Sequence, residues 1–311
     1  MQLETNSTVY GRTTNPYNRE YTSGGSSGGE GALIGMRGSV FGIGGDIGGS
    51  ICVPVALNGI YGFKLTTNRF PGVESRAPMA GSDTIHGVNG PLAADREALE
   101  LLMKVVLDAK PWRKDPLVIP QPWTHYTFGH PLKIGIQMSD EMATPHPPVL
   151  RALRGLFFPD GGEDVMNVLA EVQEPVLPLT NCITKEQPNV RSRDLSELWE
   201  ICCQRDKCRA EYARHWANTG SEDGREADVV LGPAYPGAAP PHECTCCWPY
   251  TSTWNLLDYP AAVFPVTVVS PEDGKDMSYV PGYRSNCPVD TTLEPDVLQP
   301  WSNRLHMACQ P

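Results

Sequence analysis

Apolar positions recur along this chain with two different periods. From Asp95 to Asp108, residues Ala98, Leu99, Leu101, Leu102, Val105 and Val106 repeat at helical spacing, and Asp95 stands where an N-cap belongs. A second long helix is predicted to begin at Asp194: Glu197 completes a capping box three residues on, and Gly220 lies past the far end. Shorter helices are expected over 29–38 and from Ser50 to Leu57, where Pro54 fits only a first turn or a kink. Compact apolar runs predict strands at Ser39 to Ile43, around Leu132 to Met138, at Asp228 to Leu231 and within Ala261 to Val269. Strands alternating with helices imply an α/β fold, a mixed and largely parallel sheet flanked by helices. After about Pro271 the periodicity fades, so residues 1–270 are expected to form the domain and 271–311 a divergent tail.

Composition narrows the function classes. Hydrophobic residues make up 40% and charged residues 20%, the balance of a folded globular chain and not of a disordered one. A net charge of −11 without a basic run argues against nucleic acid or an anionic membrane as partner. The longest apolar run, Tyr259 to Val269, is broken by Pro260 and Pro265 and is too short to span a bilayer. The opening residues carry neither the basic nor the apolar part of a signal peptide, so a cytoplasmic setting with reduced thiols is expected. The cluster His242, Cys244, Cys246 and Cys247 lacks the paired Cys-x-x-Cys halves of a tetrahedral zinc site and reads as loop cysteines. No metal or cofactor is called for.

Glycine changes the picture more than any other residue. Twelve of the 30 glycines fall between Gly24 and Gly49, interleaved with Ala32, Leu33, Ile34, Val40, Phe41, Ile43 and Ile47. A flexible linker would not be threaded with apolar residues in this way, so the backbone itself is expected to form a binding surface. A dinucleotide fingerprint fits poorly, because Gly29-x-Gly31 and Gly42-x-Gly44 each meet isoleucine, Ile34 and Ile47, where the third glycine belongs. A nucleophile elbow around Ser26 or Ser27 lacks the buried strand that should precede it.

The third reading is a serine amidase built on two glycine loops. GGSSGGEGALIG (Gly24–Gly35), GGDIGGSIC (Gly44–Cys52) and NGIYGFK (Asn58–Lys64) resemble the amidase signature family. TTNPYNR (Thr13–Arg19), GPLA (Gly90–Ala93), TPHPPVLRAL (Thr144–Leu153) and YTSTWNLLDYPAAVFPVT (Tyr250–Thr267) are similar to its fungal acetamidase-type branch. The resemblance implies a Ser–cis-Ser–Lys triad, with Ser50 as nucleophile and Ser26, after a cis peptide at Gly25, as the relay. It also implies an oxyanion hole from the backbone N–H groups of Ile47, Gly48 and Gly49, with Ser50 a further candidate. Asp46 would shape the loop and Ser27 would brace the site by hydrogen bonding. The implied substrate is a small-molecule amide, and a homodimer is left open.

This sequence departs from the family pattern at defined places. The implied lysine base should precede GGSSGG, yet the first lysine is Lys64, where relatives carry a structural lysine. Gly45 stands for the usual threonine and Cys52 for the usual arginine. A truncated amide hydrolase and a non-catalytic amidase-like protein that binds amides or a partner therefore both remain expectations. Trp248, Trp254 and Tyr259 are candidates for a substrate pocket or for packing, while His86, His146 and His242 read as structural.

Overall fold

A mixed seven-stranded sheet carries the candidate site. It was described in a computed structural model covering residues 3–137, 154–187, 189–220, 224–235, 237–245, 249–266 and 307–309. Strands β1 (Asn6–Ser7) and β2 (Gly11–Arg12) form a separate hairpin. The main sheet comprises β3 (Phe41–Asp46), β4 (Tyr61–Lys64), β5 (Val88–Ala93), β6 (Ile134–Ile136), β7 (Val229–Pro233), β8 (Ala261–Phe264) and β9 (Met307–Cys309), in the order β3-β5-β4-β8-β9-β7-β6.

The α/β class is found, but five of the six neighbouring strand pairs are antiparallel and only β6 with β7 is parallel. Two of the five antiparallel pairs arise from one insertion. Helix α2 (Cys52–Asn58) carries the chain from β3 over to β4, and those two strands do run parallel, as a crossover requires. Strand β5 then slots between them, opposed to both. Alternation in sequence gives the crossover but not the strand that returns into the gap.

At β4 both faces of the sheet are covered. On β4, a Cβ at Gly62 would meet Val55 of α2, while the adjacent Phe63 packs with Met103 and Leu107 of α3 (Arg96–Asp108). Neighbouring strand residues point to opposite faces, so α2 and α3 lie on opposite sides. The main core gathers Ile34, Ile51, Val55, Leu92, Trp254 and Val263. The strand expected at Ser39 to Ile43 runs instead from Phe41 to Asp46 and is buried on one face only: Gly44 and Asp46 are buried, whereas Phe41 is 40% and Ile43 52% exposed on the other.

The remaining helices are α1 (Gly28–Gly35), α4 (Glu163–Glu171), α5 (Pro178–Thr184), α6 (Leu195–Asn218) and α7 (Pro249–Leu257). Asp95 accepts from the Ala98 N–H at 2.7 Å, and Asp194 with Glu197 makes a full capping box for α6. Helices α4, α5 and α7 have no counterpart in the predicted elements. Within the stretch after residue 270, Met307–Cys309 forms a strand between β8 and β7, and the rest, like the segment Thr144 to Leu153 and Trp248, lies outside the described residues; Arg154 to Leu156 form a single 3-10 turn. No described helix is long and apolar enough to cross a membrane.

Candidate active site

Two loops meet at the N-terminal ends of α1 and α2. The first, Thr22 to Ser27, is held almost entirely through its backbone. The Asn58 side chain, fully buried, donates to the Ser23 carbonyl at 2.8 Å and to the Pro54 carbonyl at 2.7 Å. Thr22 Oγ1 accepts the Gly24 N–H at 3.0 Å. Thr5 Oγ1 lies 3.1 Å from the carbonyl oxygens of both Gly24 and Ser26 and accepts the Gly28 N–H at 2.9 Å. That last bond satisfies a donor in the first turn of α1, where Ser27 makes no side-chain cap. The peptide bond between Gly25 and Ser26 is cis.

The second loop, Ile47 to Ile51, is organised by Asp46 at the end of β3. Its carboxylate accepts the N–H groups of Gly49 and Ile51 at 2.7 Å each and that of Cys52 at 3.3 Å. Asp46 thus caps α2 from the preceding strand, placing negative charge at a helix N-terminus whose own N-cap, Ile51, has nothing to offer. The two loops are joined directly: the Ser27 N–H donates to the Ser50 carbonyl at 3.1 Å. Ser27 Oγ reaches the Gly45 carbonyl at 3.4 Å, so this residue ties the first loop to β3.

Helix α7 supports the second loop from behind. Thr251 Oγ1 donates to the Gly48 carbonyl at 2.9 Å, and one turn further on Asn255 Nδ2 donates to Asp46 Oδ1 at 2.9 Å. Both side chains are buried, and the i, i+4 spacing puts them on one helix face. Beneath them Lys64 is 1% exposed, with Nζ donating to the Leu65 carbonyl at 3.1 Å. Burial pulls its pKa down, against the opposing pull of Asp46. Burial likewise pushes the Cys52 thiol well up, with the Asp46 charge adding to the effect. Cys52 is therefore an inert core thiol in this environment.

Residues 1–157 match the sequence profile of the family named Amidase. The chain belongs to the Amidase family. An amidase-family protein of Schizosaccharomyces pombe is 39% identical over 96% of this chain and 62% of its own length. The acetamidase of Emericella nidulans is 34% identical over 86% of this chain and 55% of its own. A solved fatty acid amide hydrolase superposes with a TM-score of 0.81 at 26% identity, covering 100% of this chain and 60% of the other. The chain thus spans a little over half the length of the curated relatives it matches.

Within this amidase-family site, Ser26 is exposed and Ser50 half-buried, with Gly48, Gly49 and Asp46 buried around them. The Gly49 N–H donates to Asp46, whereas among the described residues the N–H groups of Ile47, Gly48 and Ser50 meet no acceptor. Trp254 and Tyr259 pack into an aromatic cluster with Tyr212 and Trp216, centroids 5.5 to 6.1 Å from Tyr212, and Trp254 shares the main core with Ile51 of the second loop. Thr5, Thr251 and Asn255 carry no signal of their own in the sequence. Only the placement of Thr251 and Asn255 inside the YTSTWNLLDYPAAVFPVT segment sets them apart.

Proposed function

We propose that this chain is the serine-bearing part of an amide hydrolase, with Ser50 as nucleophile and Ser26 as proton relay. The observation that carries the reading is the direct Ser27-to-Ser50 backbone bond, which fixes the two serine loops against each other. The names of the relatives, amidase and acetamidase, point to the same chemistry.

Ser50 Oγ would add to the amide carbonyl carbon while its proton passes to Ser26 Oγ, and the Ser26 proton passes on to the leaving nitrogen. The C–N bond then breaks, the amine or ammonia departs, and an acyl ester remains on Ser50. Water cleaves that ester by the same relay in reverse. Negative charge developing on the carbonyl oxygen would be met by the N–H groups of Ile47, Gly48 and Ser50. Fluorophosphonate labelling tests this reading: the probe should mark Ser50, and Ser50→Ala should abolish the mark. A folded 311-residue chain that neither labels nor hydrolyses any amide overturns it.

One observation favours the second reading, a non-catalytic amidase-like protein that binds an amide or a partner. Lys64, the lysine that follows the nucleophile loop in sequence, is 1% exposed and its Nζ donates to the Leu65 carbonyl, so this amine is engaged by main chain. Amide binding without turnover, seen by calorimetry with a small aliphatic amide, is the result that would support it.

A further inference from the structure

We infer that Glu4 is a positioning residue for the Ser26 loop, fastening the wall behind Gly25 to the segment His242 to Thr245. Glu4 is 3% exposed, and its main chain lies directly against Gly25: a Cβ there would come within 2.6 to 2.7 Å of the Glu4 N, Cα and C atoms. The neighbouring Thr5 hydroxyl touches the carbonyls on either side of Gly25, those of Gly24 and Ser26. Whatever fixes Glu4 therefore fixes the peptide that presents Ser26.

The carboxylate supplies that fixity. Oε1 accepts the Glu243 N–H at 2.8 Å and the Thr245 hydroxyl at 2.7 Å, across 239 and 241 residues of sequence. Oε2 faces His242 Nδ1 at 3.7 Å. The other ring nitrogen, Nε2, lies 3.0 Å from the Arg19 carbonyl, which can only accept, so Nε2 carries a hydrogen. Nδ1 is buried without a hydrogen bond and is turned toward the carboxylate. Arg12 pairs with Glu243 at the outer edge of this contact. A buried carboxylate with its donors in place resists displacement, because moving it strands a charge and two donors together. The mechanism proposed above makes no use of Glu4, and nothing in the serine motif points to it.

The test compares the wild-type chain with Glu4→Ala, Glu4→Gln and Thr245→Val. Amide exchange is read in peptides covering residues 22–30 and, as controls, α3 and α6, together with the second-order rate of fluorophosphonate labelling at Ser50. Exchange over 22–30 should speed at least tenfold in Glu4→Ala while α3 and α6 hold, and labelling should slow at least tenfold. Glu4→Gln keeps an oxygen acceptor and should recover most of both readouts, and Thr245→Val should move both in the same direction by less. The labelling arm rests on the proposed activity. If the wild type does not label, that activity fails and the exchange arm alone decides the role of Glu4. Should Glu4→Ala not fold, Thr245→Val decides. Unchanged exchange over 22–30 in the folded variants, or loosening of all three regions together, overturns the inference.

Discussion

Thr251 occupies the space that a side chain on Gly49 would need: a Cβ on Gly49 would lie 2.0 Å from Thr251 Oγ1, the atom that also donates to the Gly48 carbonyl. Gly49 has φ of 124°, a region L side chains rarely adopt, so both the backbone and the neighbouring helix demand glycine here. Gly49→Ala should cost about 2–4 kcal/mol, the sum of a strained backbone and an overfilled contact. Chemical denaturation measures the loss, and labelling at Ser50 should fall with it. An alanine variant of wild-type stability would mean that α7 does not seat on this loop.

Asp46 should tolerate no neutral mimic. In Asp46→Asn one oxygen becomes an NH2 group, and whichever way the amide turns it faces the Gly49 N–H or those of Ile51 and Cys52. The cost should be about 2–3 kcal/mol, the scale of a charge-assisted bond replaced by opposed donors. Thermal unfolding of the purified variant would show it as a clear drop in melting temperature.

The two serines should separate by assay. Ser26 is exposed and its side chain holds no described hydrogen bond, so Ser26→Ala should change stability by less than about 0.5 kcal/mol. Hydrolysis should nevertheless slow by roughly 10²- to 10⁴-fold, the usual range for removing one proton-transfer partner. Labelling at Ser50 should persist at a lower rate, unlike in Ser50→Ala. Equal hydrolysis rates for Ser26→Ala and wild type would remove Ser26 from the reaction.

Acid should weaken a second anchor, away from the site. Asp115 accepts the N–H groups of Gly72, Val73 and Leu117 at 2.9, 3.0 and 3.1 Å, and these bonds, that of Gly72 foremost, hold its carboxyl below the usual carboxylate range. A depressed folded value means stability that is complete above about pH 4, the unfolded value, and is lost as pH falls through the lower folded one. The difference in unfolding free energy between wild type and Asp115→Asn, about 2 kcal/mol at neutral pH, should therefore shrink below pH 4. Urea titrations at pH 7 and pH 3 check the sign.

What was legible in the sequence was local. Helices α3 and α6 announce themselves through apolar period and through Asp95 and Asp194, whose caps form within three residues. The glycine loops are equally local, and they pointed to Asp46 and the two serines. The partners that complete those loops were not legible, because Thr251 and Asn255 reach them across 203 and 209 residues. Helix α7 begins at Pro249 within a stretch dense in proline and cysteine, where no clean period can establish itself. Sheet direction was hidden for a related reason: the β3–α2–β4 crossover is written in consecutive residues, but the insertions of β5 between β3 and β4 and of β9 between β8 and β7 are tertiary events.

Strand β3 leaves its outer edge without a neighbour among the described residues, with Val40, Phe41 and Ile43 exposed along it. Such an edge is a template on which another copy can lay a strand. The net charge of −11 opposes that approach, a repulsion that works through water and is screened by salt. In handling, then, salt should act on this chain opposite to its usual solubilising effect. Light scattering should rise as ionic strength climbs at neutral pH, and a lysine in place of Ile43 should suppress that rise.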